Sequence, residues 1–157
     1  MSYRSLLLAL CLSLHIPTVF AVPSLIDALT NPPMPTATLP IKNTILHIEI
    51  ANTPKNRILG LMFRPYLSEN DGMLFIYKTE RKRCFWMKNT YLPLSIAYIN
   101  KQGKITDILD MQPLDTRLIC PTAPMRYALE VNQGWFSRNA VKVGDKIYLS
   151  RDILRKK

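Results

Sequence analysis

Apolar residues in this chain recur mostly at every second position, in short runs separated by turn residues, and that rhythm restricts it to a β-rich fold. Thr44 to Ala51 sets Ile45, His47 and Glu49 on one face and Leu46, Ile48 and Ile50 on the other, the period of a half-buried strand. Met73 to Tyr77 is a continuous apolar run, as in a strand covered on both faces. Cys84 to Met87 reads as a second short strand. Leu94, Ile96 and Tyr98 alternate with Ser95, Ala97 and Ile99, and Asn100-Lys101-Gln102-Gly103 is a hairpin loop into Ile105 to Met111. Met125 to Asn132 points Tyr127, Leu129 and Val131 inward. Val141 to Leu149 closes the pattern around a Gly144-Asp145 turn, and Asp71-Gly72 reads as another turn.

One segment breaks the rhythm. Thr53-Pro54 pairs an N-cap residue with proline at the first helical position, and Ile58, Leu61 and Met62 follow at helical spacing. Pro65 ends that helix near Phe63 or Arg64. Gly60 within it implies a close neighbour, since glycine costs a helix about 1 kcal/mol. Six to eight strands without regular intervening helices predict an α+β fold, mainly antiparallel β. The expected form is a small barrel-like or rolled sheet with one or two short helices.

The N-terminus obeys different rules. Arg4 precedes an apolar run from Leu6 to Leu14, and Val19-Phe20-Ala21 supplies a cleavage site. Residues 1–21 are therefore read as a secretory signal peptide. A transmembrane span needs roughly 20 apolar residues, whereas this run carries Ser13, His15, Pro17 and Thr18, so no stable membrane anchor is expected after cleavage. Residues 22–40 hold Pro23, Pro32, Pro33, Pro35 and Pro40 and read as a tether, with a single globular domain over residues 41–157. The expected location is the bacterial periplasm or the exterior.

Of 21 basic residues only Arg4 lies in the signal peptide, which holds none of the 11 acids. The remainder thus carries 20 positive against 11 negative charges, a balance that attracts polyanions or keeps a small protein in solution. Export argues against nucleic acid as the partner. Cys84 and Cys120 remain after cleavage. An even pair in an oxidising compartment favours a disulfide over two buried thiols, closing about 37 residues and contributing roughly 3–4 kcal/mol.

Chemistry concentrates in Arg81-Lys82-Arg83-Cys84-Phe85-Trp86-Met87-Lys88-Asn89-Thr90. Extended backbone puts Trp86 and Lys88 on one face, an indole beside an ammonium, which suits a saccharide or an anion. Two other roles fit equally: Trp86 as core, and Lys88 with Asn89 as holders of a turn.

Several strings recur here in a fixed order: Gly60-Leu61-Met62-Phe63-Arg64, Asp71-Gly72-Met73-Leu74-Phe75, Phe85-Trp86-Met87-Lys88-Asn89-Thr90, Pro93-Leu94, Ala128-Leu129-Glu130-Val131 and Gly144-Asp145. They resemble the signature of the bacterial and archaeal family called domain of unknown function 192, over nearly all of residues 45–150. The resemblance implies a compact fold rich in β structure, often behind a signal peptide, and no defined reaction. It singles out Arg64, Trp86, Lys88, Asn89, Thr90 and Glu130 as site residues. Members commonly carry an acid after the Pro-Leu pair, where this chain has Ser95.

Other chemistries find little support. His47 is the one histidine left after cleavage, on an alternating strand where structural roles prevail. No Gly-x-Ser-x-Gly elbow occurs, and a disulfide would consume both cysteine nucleophiles. There is no Cys-x-x-Cys pair for thioredoxin-like chemistry. Asp107, Asp110, Asp115 and Glu130 are available as paired acids, though Glu130 could equally form an ion pair with Lys88 or Arg64. Met62, Met73, Met87, Met111 and Met125 are soft ligands suited to Cu(I), but they occupy apolar positions where methionine fills core gaps. No metal or cofactor is expected. The leading expectation is a noncatalytic envelope domain binding an anionic polymer or saccharide through Arg64, Trp86, Lys88 and Asn89. The alternatives are an enzyme on an envelope glycan with Glu130 as acid or base, and a module docking on an envelope protein.

Overall fold

The computed structural model describes residues 33–156. The expected signal peptide and residues 22–32 of the tether lie outside them. Six strands form one open sheet: β1 (Thr36–Ile41), β2 (Thr44–Ala51), β3 (Asp71–Arg81), β4 (Leu94–Ile99), β5 (Ile105–Met111) and β6 (Met125–Asn132). Their order is β1-β2-β3-β6-β4-β5. All neighbours are antiparallel except β2 and β3, which run parallel. A parallel pair needs a crossover, and the segment holding α1 (Pro54–Leu59) supplies it. Two further short helices follow, α2 (Trp135–Arg138) and α3 (Arg151–Arg155). The fold is thus α+β and mainly β, with the rolled-sheet alternative realised as an open sheet.

Both faces of the sheet are covered. Leu46, Ile48 and Ile50 of β2, Leu74, Ala97, Ile99, Leu129 and Val131 pack with Trp135 and Phe136 on one side. Met73, Phe75, Leu94, Ile96, Tyr98 and Ala128 pack with Leu61, Phe85, Met87 and Met111 on the other. Double coverage explains why β4 is buried at all six positions. It also explains why Glu130, which shares a face with Ala128, lies inside the protein, although alternation marked only Tyr127, Leu129 and Val131 as inward.

Several sequence readings change. The sheet begins at Thr36, inside the stretch read as tether. Pro40 is tolerated there because β1 is an edge strand. Asp71-Gly72 opens β3 rather than making a turn. A side chain at Gly72 would meet the Glu130 carbonyl oxygen at 2.6 Å, so glycine permits the close approach of β6. Thr53 caps α1, accepting from the Asn56 amide at 3.1 Å, but the helix stops at Gly60, well before Pro65. Gly60 has φ 51° and ψ −133°; its constraint is backbone conformation, with Phe75 only in ordinary contact at 3.5 Å. Cys84 to Met87 contributes a single bridge, Phe85 to Ile119, rather than a strand. Residues 141–149 likewise add only the Lys104–Lys146 bridge to the sheet edge.

A candidate ligand site around Glu130 and Trp86

The segment from Cys84 to Thr90 is irregular yet tightly held. Cys84 is bonded to Cys120, with Cα atoms 4.2 Å apart. Phe85 and Ile119 exchange two backbone hydrogen bonds of 2.9 and 2.8 Å. The Met87 amide donates to Asp115 O at 2.7 Å, and the Leu114 amide donates to Thr90 O at 3.0 Å. From the other side, the Phe63 amide donates to Asn89 O at 2.8 Å. Phe63, Asn89 and Leu114 all have positive φ. Such strained backbone persists where the surroundings over-determine it, and it gathers at functional sites.

Period-two alternation then sorts the side chains. Phe85 and Met87 point into the core, and Trp86 and Lys88 point out. Trp86 is 45% exposed, and the Lys88 ammonium lies 5.4 Å from its ring centroid. The indole–ammonium pair expected from the spacing therefore forms, and Trp86 is not a core residue. Asn89 makes the turn through its left-handed backbone. Thr90 is buried, and its hydroxyl donates to Lys88 O at 3.4 Å.

Beneath this loop is a cavity of about 30 Å³ lined by Gly60, Phe75, Phe85, Trp86, Thr90 and Glu130, among others. That volume suits one or two water-sized groups. Glu130 is 5% exposed, and burial pushes its carboxyl up to about 8. Among the described residues no lysine, arginine or histidine forms an ion pair with it. The ion pairs weighed for it with Lys88 or Arg64 do not form. At neutral pH the carboxyl is therefore mostly protonated, able to donate one hydrogen bond and accept others. Arg57 also lines the cavity, its charge 4.8 Å from the Tyr77 ring.

Arg64 belongs elsewhere. Its guanidinium grips the Glu49 carboxylate with both terminal nitrogens, the Nη2–Oε2 bond being 2.7 Å. The two line a separate cavity of about 500 Å³ with His47, Tyr66, Ser68 and Asp71. Strand register relates the two sites: Glu49 pairs with Met73, and Met73 with Glu130. The acids thus lie on one row of one sheet face with Met73 between them. The structure gathers Trp86, Lys88, Asn89, Thr90 and Glu130, and leaves Arg64 with Glu49, two strands from Glu130.

Ser95, the position at which the resemblance implies an acid, lies on the opposite face of the sheet. Its hydroxyl donates to Asp110 Oδ1 at 2.5 Å and accepts from the Gly134 amide at 2.9 Å. A carboxylate reaches that point from β5, but not the Glu130 cavity.

Residues 37–149 match the family model DUF192, described as uncharacterized ACR, COG1430. The chain belongs to the DUF192 family. Two solved structures are similar to this DUF192 protein. A candidate transcription regulator from Sinorhizobium meliloti is 37% identical, with 67% of this chain and 82% of that one covered at a TM-score of 0.65. A protein of unknown function from Novosphingobium aromaticivorans is 29% identical, with 73% and 84% covered at 0.66. A search of the curated proteins returns no match.

Proposed function

We propose that this DUF192 protein is an exported, noncatalytic binding domain for an envelope saccharide, which stacks on Trp86 and sends one hydroxyl or hydroxymethyl group to Glu130. The observation that carries this reading is an unpaired, buried carboxyl at the base of a small cavity roofed by an exposed indole. Burial strips most of the water from that carboxyl at a cost in free energy, which a hydrogen bond with a ligand hydroxyl would recover. The cavity is too small for a sugar ring, so the ring stays on the indole surface. Lys88 beside Trp86 accommodates acidic sugars as well as neutral ones.

A catalytic reading has one supporting observation, since a carboxyl held protonated near neutral pH is the state of a general acid. Glycoside hydrolysis needs a second free carboxyl. Glu49, on the same row, is held by Arg64, and Asp107, whose Oδ1 accepts from the Thr122 hydroxyl and amide while Oδ2 has no partner among the described residues, does not line the Glu130 cavity. Binding without turnover is favoured for that reason. The regulator description of the Sinorhizobium relative is not carried over: the helices among the described residues have four to six residues, short for a major-groove recognition helix.

Export is supported by the Cys84–Cys120 bond, which suits an oxidising compartment, and by the pattern of residues 1–21. Among the described residues no helix is long and apolar enough to cross a membrane. A thermal-shift panel of peptidoglycan and lipopolysaccharide fragments tests the reading. A saturable shift lost in Trp86→Ala supports it; a flat panel, or a shift that survives in Trp86→Ala, rejects it.

A further inference from the structure

The exposed large apolar side chains are not scattered. Ile58, 71% exposed, and Trp86 line the same small cavity. Phe63 is tied by its amide to Asn89, and Leu114 by its amide to Thr90; both side chains are about half exposed. The Phe85–Ile119 bridge and the adjoining Cys84–Cys120 bond fix an antiparallel register that sets Leu118 across from Trp86. Both point away from the core, and Leu118 is 68% exposed. Ile58, Phe63, Trp86, Leu114 and Leu118 therefore surround one loop. A gathered apolar patch of this kind marks an interaction surface.

Its border is cationic. Arg57 precedes Ile58, Lys88 lies over Trp86, and Arg81, Lys82 and Arg83 lead into the loop. Arg57 and Arg83 flank Tyr77 at 4.8 and 4.2 Å from its ring, and both donate to backbone carbonyls rather than to acids. Asp115 beside the patch is already bridged by Arg117 at 2.6 Å. Large apolar and aromatic tips with an excess of cations at their border, the neighbouring Asp115 being neutralised by Arg117, match an anionic bilayer surface, where apolar groups enter the acyl boundary and Lys and Arg meet headgroup phosphates. A protein partner would commonly be met by a rim of mixed sign, and a nucleic acid would leave the leucines and isoleucine wet.

We infer that this face docks on the surface of an anionic phospholipid membrane, seating the loop from Trp86 to Thr90 at the headgroup level. Docking shares Trp86 and Lys88 with the saccharide reading, but it is tested at Leu118 and the Arg81-Lys82 pair, which that reading does not use.

The test is co-sedimentation of the chain from Val22 onward, which retains every described residue, with phosphatidylcholine vesicles containing or lacking phosphatidylglycerol. Binding is expected only with phosphatidylglycerol, and it should weaken steeply with salt. Arg81→Ala with Lys82→Ala should reduce partitioning about thirtyfold, at about one tenfold step per 1.4 kcal/mol and one such charge contributing about 1 kcal/mol. Leu118→Glu should reduce it further. Both variants alter exposed side chains, and unchanged melting temperatures would confirm that they fold. No sedimentation at low salt overturns the proposal, as does binding indifferent to all three substitutions. A concentration-dependent dimer abolished by Leu118→Glu, without vesicle binding, would assign the patch to a second copy instead and also overturn it.

Discussion

Glu130→Gln should make the protein more stable, and increasingly so as pH rises. The carboxyl is raised by burial from an ordinary 4.5 to about 8. Between those values the folded protein keeps a proton that the unfolded chain has lost. The folded state then binds more protons, so stability falls with increasing pH. The favourable contribution is complete below about pH 4.5 and is lost as pH passes through 8. At about 1.4 kcal/mol per pH unit, the full span is worth on the order of 5 kcal/mol, a large share of a typical domain's 5–15 kcal/mol. Glutamine keeps the shape and never ionises. Urea unfolding of both proteins at pH 5, 6, 7 and 8, with the disulfide intact, isolates this group because all other titrations cancel in the difference. The gap should widen by about 1 kcal/mol or more per pH unit. Parallel stability curves would show that Glu130 ionises freely, and the description of its cavity would be wrong.

Replacing Cys84 and Cys120 by serine should destabilise the domain by about 3–4 kcal/mol, seen as a fall of roughly 10–15 °C in melting temperature; an unchanged midpoint would mean the bond does not form in the protein. Thr53→Ala should cost about 1 kcal/mol in urea unfolding through loss of the α1 cap. Gly72→Ala, whose new methyl would sit 2.6 Å from the Glu130 carbonyl oxygen, should cost about 1–3 kcal/mol by the same measurement, with a value near zero contradicting the close approach of β3 and β6.

Sequence reasoning captured features set by local rules. The alternation of β2, the Thr53-Pro54 helix start and the Asn100 to Gly103 hairpin each follow from a few adjacent residues. Features set by remote neighbours were hidden. Gly72 reads as a turn residue until β6 is seen to press on it. Burial of Glu130 depends on a second layer, built from Leu61, Phe85 and Met87, covering the face that alternation would assign to solvent. At the site, the Trp-x-Lys spacing raised the indole–ammonium pair beside a core role for Trp86, and only the exposure of Trp86 decides between them. Arg64 was grouped with it from motif order alone, whereas its partner, Glu49, comes from a different strand. The one clue to that pairing was the outward position of Glu49 on β2.

The central claim is that a ligand hydroxyl meets the protonated carboxyl of Glu130 beneath Trp86. Calorimetric titration of the best-bound envelope saccharide at several pH values from 6 to 9.5 tests it most directly, with Glu130→Gln measured alongside. The affinity of the unmodified protein should hold steady to about pH 7 and change above it as the carboxyl turns from donor and acceptor to acceptor only, while that of Glu130→Gln stays level. Saturable binding with the same flat pH profile in both proteins would contradict the account.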